Sequence, residues 1–321
     1  MSRFVLRRLA ISLVLAWLVL TATFAVLHLA PGDPAERFVD PRVPRAQAEH
    51  IRSLYGLDRP FLVQYLAWLR SLALEGELGT SFQFQQPVLG VLLAHLPATM
   101  LLGTCALLLQ WVVGVSLGIL AATRPDSLTD HLVRLGSATI YALPTFWLGL
   151  MLILLMSGVL DLLPPSGMAS PFADEWSHWQ RLVDLTLHLI LPAIVLGLPL
   201  AGPVARLLRN GLLEELGKDY VLAARARGLK PLRVIAHAVR NASAPLVQWL
   251  GLSLPLLFAG SIIVEHVFSW PGLGSITVNA INARDYPLVL GTTVLSALSV
   301  IAGSFLADIG HAALDPRVRF R

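Results

Sequence analysis

Six long runs of apolar residues constrain this chain more than any other feature of its sequence. Charged residues make up 14% of its 321 residues and hydrophobic residues 55%, whereas a soluble domain carries about 25% charged residues. About 20 apolar residues in a helix are enough to cross a bilayer. The sequence therefore predicts an all-α polytopic membrane protein with six transmembrane helices, at residues 9–30, 96–122, 132–160, 185–208, 244–267 and 288–309.

The placement of lysine and arginine predicts the orientation of these spans. Cytoplasmic segments of membrane proteins are enriched in basic residues. With the N-terminus inside, the internal segments hold 16 of the 24 basic residues, and acidic residues offset most of the remainder in the long first external segment. We therefore expect both termini to be cytoplasmic. The first run exceeds the apolar core of about 7–15 residues in a secretory signal, so it is predicted to be a retained span.

Three regions follow from this plan. Residues 1–30 form an N-terminal segment with the first span, and residues 31–95 form an external segment. Within the latter, Leu62, Tyr65, Leu66 and Leu69 recur at helical spacing and predict an amphipathic helix. Residues 96–321 form a five-span core that contains a cytoplasmic hairpin at 213–243.

The chain shows no constellation for catalysis or for binding a cofactor. Its two lysines, Lys218 and Lys230, lie outside any phosphate-binding glycine-rich loop, so we predict no ATP or Mg²⁺ site and no catalytic residues. Cys105 is the only cysteine, which excludes an intrachain disulfide and a cysteine metal cluster; no metal site is predicted. A formal charge of +4 does not indicate nucleic-acid binding. If this protein drives uphill transport, its energy source is elsewhere.

The spans nearly lack ionisable groups, which argues against a proton- or sodium-coupled transporter with a buried carboxylate relay. Glu265 lies near the end of the fifth run, where we expect water to solvate it. Trp270 lies in the following external loop, where tryptophan favours the membrane interface. Proline kinks often line a pathway, although membrane helices also tolerate proline as a plain kink. Both readings stay open, and the candidate pathway residues are Pro192, Pro199, Pro255, Glu265 and Trp270.

A basic, alanine-rich stretch separates the fourth and fifth runs. Residues 222–227 predict a short helix, and Gly228 is placed to end it in a left-handed conformation. The chain then restarts at Pro231, and residues 233–241 predict a second helix. Binding to anionic lipid, at about 1 kcal/mol per basic residue, is one explanation of such a loop. Lipid binding alone does not account for the spacing of the alanines and the glycine.

At these residues the sequence resembles permease subunits of bacterial ABC importers, in the dipeptide/oligopeptide/nickel branch. That family's loop motif is Glu-Ala-Ala, three residues and then Gly; here Ala223, Ala224 and Gly228 match it and Leu222 replaces the glutamate. Further similar motifs lie in order along the chain, at residues 31–34, 55–60, 78–81, 96–99, 190–193, 268–274, 284–287 and 315–317.

The resemblance implies a permease in the bacterial inner membrane rather than an enzyme. Its implied partners are a second homologous permease, two ATP-binding subunits that hold the ATP and Mg²⁺, an external substrate-binding protein and membrane lipid. The implied coupling residues are Tyr220, Ala223, Ala224, Arg225, Ala226, Gly228 and Leu229. A dipeptide or oligopeptide is the expected substrate, with nickel or a metal chelate as the alternative. A stand-alone secondary transporter or channel and a membrane-embedded enzyme are the rival classes.

Overall fold

The computed structural model describes residues 2–29, 58–253 and 261–314. Within these residues the regular secondary structure is helical, apart from one isolated bridge between Thr80 and Pro87, and turns and loops connect the helices. Short π-helical turns extend α2 and α5, at Ser71–Glu75 and Leu154–Val159. The helices are α1 (Ser2–Leu29), α2 (Phe61–Arg70), α3 (Val88–Thr123), α4 (Leu128–Ala142), α5 (Thr145–Ile153), α6 (His178–Leu216), α7 (Asp219–Ala226), α8 (Pro231–Ala242), α9 (Ala244–Ser253), α10 (Ile262–Val267), α11 (Leu273–Ala283) and α12 (Tyr286–Leu314).

Four helices are long and apolar enough to cross a membrane, namely α1, α3, α6 and α12, and α4 with α5 makes a fifth if that bent pair counts as one span. The predicted fifth run, residues 244–267, begins with α9 and ends with α10, and its middle lies outside the described residues. The amphipathic helix predicted from Leu62 to Leu69 is confirmed as α2.

The third predicted run is not one straight helix. α4 ends at Ala142, Leu143 has an extended backbone, and α5 starts at Thr145 after a bend of 98°. The residue before a proline is disfavoured in the helical conformation, so Leu143–Pro144 breaks the helix. The run 132–160, predicted as one span, is therefore divided between two helices at Pro144.

Two other runs were predicted too short. α3 begins at Val88 rather than at residue 96, and α6 extends from His178 to Leu216 rather than over 185–208. α6 begins at a capping box, in which the Ser177 side chain accepts from Gln180 N and the Gln180 side chain accepts from Ser177 N. Polar residues at both ends of α6 masked its extent in the apolar pattern, whereas the missed first turns of α3 are apolar except for His95.

α3 and α6 form the tightest helix pair, and small residues allow it. A Cβ at Gly197 on α6 would lie 2.5 Å from the Ala106 carbonyl oxygen of α3, and one at Gly118 on α3 would lie 2.9 Å from the Ala205 carbonyl oxygen. Close backbone approach at small residues is a common way for helices to associate in lipid. α4 joins the same block, since a Cβ at Gly202 would lie 3.0 Å from the Ser137 carbonyl oxygen.

Candidate functional site

The cytoplasmic hairpin predicted at 213–243 consists of α7, a tight turn and α8. Gly228 has φ +79°, and its amide donates to Arg225 O at 2.9 Å, while the Leu229 amide donates to Ala224 O at 3.2 Å. Glycine adopts this left-handed conformation without the steric cost that a Cβ brings. Pro231 then occupies the first turn of α8, where its missing amide proton costs nothing. The predicted glycine turn between two short helices is confirmed.

The inner faces of the hairpin pack on each other and on the end of α6. Val221 and Ala224 of α7 are buried against Val234 of α8. Further along α8, Ala238 and Ala242 pack against Leu208 and Leu212 of α6, among others. Burial of these apolar groups holds the two short helices, which would be marginal in isolation. The hairpin is thus attached to α6 along most of α8.

Glu215, near the end of α6, anchors the start of the hairpin. Its Oε1 accepts from Lys218 Nζ at 2.5 Å and its Oε2 accepts from Tyr220 OH at 2.8 Å. The hydrogen bond from Lys218 to Glu215 raises the pKa of the Lys218 ammonium above its usual range. One carboxylate therefore ties α6 to both the linker and the first turn of α7.

A surface cleft of about 460 Å³ lies between α7 and α8. Polar and basic side chains line much of it, including Tyr220, Arg227, His237, Arg240 and Asn241. The hairpin from Asp219 to Ala242 carries a single carboxylate side chain, that of Asp219. This surface suits a partner with carboxylates.

The predicted coupling residues divide into two sets. Tyr220, Ala223, Arg225, Ala226 and Gly228 are exposed, so a partner can reach them. Ala224 is buried and Leu229 is half-buried, so these two support the hairpin from within.

Glu265 was expected in water at the end of a span, and that expectation is wrong. Its side chain is fully buried. Thr99 Oγ1 of α3 donates to Glu265 Oε1 at 3.0 Å, and the amides of Gly274 and Ser275 donate to Oε2 at 2.7 and 3.2 Å. The carboxylate therefore takes up amide groups at the start of α11 that would otherwise lack partners.

Thr99 completes this contact by accepting from Leu273 N at 2.7 Å. Trp270 was expected at the membrane interface; instead it is fully buried, and its Nε1 donates to Ala98 O at 2.8 Å.

We call Ile262–Ala283 the elbow. It consists of α10, α11 and the turn between them, and it packs on α3. The elbow brings the motifs at 96–99 and 268–274 together, although 166 residues separate Thr99 from Glu265.

The structure places two of the three proline candidates for the pathway. Pro192 and Pro199 lie inside α6, which is helical throughout its length, and both are buried. Pro255 lies outside the described residues. A pathway role for these prolines, for Glu265 and for Trp270 stays a prediction.

Three buried carboxylates, those of Asp130, Asp184 and Asp285, escaped the sequence analysis. Asp130 on α4 is fully buried. Its Oδ1 accepts a hydrogen bond from Nε of Arg209 on α6 and its Oδ2 accepts one from Nη2 of the same residue, both at 2.6 Å. Asp285, before α12, accepts from Ser81 Oγ at 2.5 Å and from Gln83 N at 2.9 Å. Ser81 and Asp285 belong to two of the recognised motifs, but nothing in the sequence pairs them.

Within residues 2–29, 58–253 and 261–314, no group of three or more His, Cys, Asp or Glu side chains is arranged to hold a metal ion.

The fold and the hairpin define a class of helical membrane protein, and comparisons with known proteins identify its family. Residues 114–320 match the model of the binding-protein-dependent transport system inner membrane component, and residues 1–103 match the N-terminal model of the same system. The chain therefore belongs to this family of ABC importer permeases.

Individual relatives match over their full length. The chain is 36% identical to the oligopeptide transport system permease protein AppB of Bacillus subtilis over 322 residues, covering 100% of both chains. It is 38% identical to the dipeptide transport system permease protein DppB of Escherichia coli K12, again over 100% of both. It is 40% identical to the di/tripeptide transport system permease protein DppB of Pseudomonas aeruginosa, over 99% of both.

Comparison with solved structures supports the fold. The MetNI methionine ABC transporter, in an inward-facing conformation, matches with a TM-score of 0.51 at 20% identity, covering 71% of this chain and 97% of the other. At this identity the match establishes the fold alone.

Proposed function

We propose that this chain forms the translocation path of an ATP-driven peptide importer and receives its driving force through the cytoplasmic hairpin. The observation that carries this proposal is the hairpin itself: an exposed basic surface, closed by a left-handed glycine, on the end of α6. The full-length relatives named above as dipeptide and oligopeptide permeases support a peptide as the substrate. Nickel or a metal chelate is the alternative substrate for the same machinery.

The proposed assembly has five kinds of component besides the substrate. This chain pairs with a second homologous permease, two ATP-binding subunits hold ATP and Mg²⁺, an external binding protein delivers the peptide, and lipid surrounds the spans. The chain itself binds neither nucleotide nor metal. Its six spans lie in the bacterial inner membrane with both termini cytoplasmic. Residues 31–95 lie outside, and residues 96–321 form the core.

The packing suggests how force reaches the bundle. The hairpin lies on α6, and α6 is in close backbone contact with α3 at Gly197 and Gly118. α4 is tied to α6 by the Asp130–Arg209 ion pair. We expect α3, α4 and α6 to move together with the hairpin, because such close-packed helices do not deform continuously. The elbow, which is bonded to α3 through Thr99, would carry the movement to the external side.

Affinity purification of this chain from native membranes tests the assembly. We expect an ATP-hydrolysing subunit and a second permease to co-purify. The stand-alone transporter is the rival, and it predicts a pure chain that transports substrate in proteoliposomes without ATP.

A further inference from the structure

A cavity of about 290 Å³ lies where the end of α1 meets α2 and the start of α12. It shares no lining residue with the hairpin or the elbow. Aromatic side chains form much of its wall, namely those of Phe24, Trp68, Phe82 and Tyr286. Sites for small ligands are typically concave and mostly apolar, with a few polar groups, and their volumes begin at about 300 Å³. The cavity therefore has the composition and the size of a site for a small chemical group.

The walls of this cavity are fixed on two sides. On α1, the rings of Phe24 and His28 stack with their centroids 4.0 Å apart. His28 Nε2 lies 3.1 Å from Oε1 of Gln64, which joins α1 to α2. On the opposite side, the hydrogen bond from Ser81 to Asp285 holds the chain that follows α2 against the start of α12. A ligand would therefore enter a site that is largely formed before it binds.

Two opposite charges share the cavity. Arg59 and Glu77 both line it and both are exposed, and no ion pair joins these two residues of the described chain. A guanidinium matches the oxygens of a phosphate group through paired, charge-assisted hydrogen bonds. A carboxylate accepts hydrogen bonds of the same kind from an ammonium group. A ligand that carries a phosphate and an ammonium close together therefore suits this pair.

The surface around the cavity suits lipid. α1 is a candidate span of which only 6% is buried inside the protein. Close to the cavity, Val26 on α1 is 66% exposed and Leu62 on α2 is 67% exposed. Trp68 and Tyr286 are of the aromatic types that favour the level of the lipid headgroups. A phospholipid covers this apolar surface with its acyl chains, whereas a dipeptide, which is also a zwitterion, leaves it bare.

We propose that the cavity binds the headgroup of a phospholipid that carries a primary ammonium, as phosphatidylethanolamine does. Arg59 pairs with the phosphate, Glu77 accepts hydrogen bonds from the ammonium, and the aromatic wall packs against the glycerol region. Because the cavity touches α1, α2 and α12, the bound lipid fastens the first span to the core. This inference goes beyond the proposed function, since lipid binding is measured without any transport.

Native mass spectrometry tests the site on the full-length chain, purified in detergent with the subunits that accompany it and stripped of lipid. The protein is incubated with equal amounts of phosphatidylethanolamine, phosphatidylcholine and phosphatidylglycerol that have identical acyl chains. We expect one phosphatidylethanolamine per chain, retained at least about fivefold over each of the others. The quaternary ammonium of choline has no N–H to donate, and glycerol carries no positive charge. The bound lipid should also raise the thermal denaturation midpoint, and an excess of dipeptide should not displace it.

Substitutions of the two charged residues separate their roles. Glu77→Gln should reduce the preference for phosphatidylethanolamine to within about twofold of the other lipids, while phospholipid still binds. Arg59→Gln should weaken the binding of all three lipids, and it keeps the Arg59 carbonyl that accepts from Gln64 Nε2 at 2.8 Å. Glu175→Gln is the matched control, because Glu175 is an exposed carboxylate outside the cavity, on the proposed external side. It should keep the preference of wild type.

Four results would overturn the lipid site. Wild type that retains the three lipids equally has no headgroup preference to explain. A Glu77→Gln variant with an unchanged preference removes the carboxylate from the site, and an equal loss of preference with Glu175→Gln assigns the effect to general surface charge. Displacement of the lipid by the dipeptide would show that the cavity binds a peptide instead.

Discussion

At the scale of single residues, the left-handed glycine of the hairpin gives the sharpest test of coupling. Gly228 has φ +79°, and a Cβ built there meets no atom within 4 Å. A substitution therefore acts through the backbone and not through a clash. A non-glycine residue in this conformation costs about 1–2 kcal/mol, and a β-branched one more.

We expect Gly228→Val to distort the turn and to lower substrate-stimulated ATP hydrolysis and uptake together. Gly228→Asn should keep more activity, because asparagine tolerates the left-handed region better than other residues. Gly76→Val is the control: Gly76 has φ +67° and equally open space, but it follows α2, far along the chain from the hairpin. If both valine variants lose coupling to the same extent, general strain explains the effect and the turn has no special role.

The buried carboxylate of the elbow gives the second residue-scale prediction. A Cβ at Gly272 would lie 2.5 Å from Thr99 Oγ1 and would also press on the Glu265 carboxylate. Gly272→Ala should therefore destabilise the protein by about 1–3 kcal/mol through overpacking. The measurement is the thermal denaturation midpoint of the purified protein. Gly136→Ala on α4, where a Cβ meets nothing within 4 Å, should leave the midpoint unchanged or raise it.

These residues also show what sequence reasoning could reach. The turn at Gly228 was predictable because its determinants are local: a glycine after a helical pattern and a proline two residues beyond the next leucine. The solvation of Glu265 was predicted wrongly because its partners, Thr99 and the amides of α11, meet it only in the folded protein. Trp270 was misplaced for the same reason, since Ala98 O is 172 residues away.

At the scale of elements, the Asp130–Arg209 ion pair connects α4 to α6. Asp130 is fully buried and the Arg209 side chain is 13% exposed; Arg209 Nε lies 2.6 Å from Asp130 Oδ1, whereas the second basic neighbour, Arg134 Nε, lies 3.6 Å away, so Arg209 is the main partner of this carboxylate. Removing one partner of a buried pair costs about 3–5 kcal/mol, because the other charge is left unpaired. Replacing both relieves much of that cost.

We therefore expect the stability losses of Asp130→Ala and Arg209→Ala to add up to more than the loss measured for the double variant. A double-mutant cycle on chemical or thermal denaturation measures this coupling. The exposed pair Lys218–Glu214, at 3.6 Å with side chains 46% and 77% exposed, is the control and should couple by less than about 1 kcal/mol. Additive effects at Asp130 and Arg209 would show that α4 and α6 are joined by other contacts.

The positions of the long helices followed from the runs of apolar residues, whereas the ends of the helices and the sharp bend in the third run did not. The apolar pattern located α1, α3, α6 and α12, but polar residues at both ends of α6 concealed its full length. The break at Leu143–Pro144 depends on a backbone preference that a hydropathy pattern does not register.

At the scale of the whole molecule, α3, α4 and α6 form one close-packed block, and the hairpin and the elbow contact it. α3, α4 and α6 pack through small residues and one buried ion pair, the hairpin lies at one end of α6, and the elbow is bonded to α3. This arrangement gives the hairpin a continuous mechanical connection to the proposed external side. The family membership of the chain agrees with such a role for its membrane core.

Reconstitution tests the central claim, that this chain transports only when a separate ATPase acts on its hairpin. Proteoliposomes should contain the chain, its second permease and its ATP-hydrolysing subunits, with a binding protein and a labelled dipeptide on the external side. We predict uptake that requires ATP and every protein component and that is lost with Gly228→Val. Uptake by this chain alone without ATP, or full uptake by the Gly228→Val complex, would contradict the account.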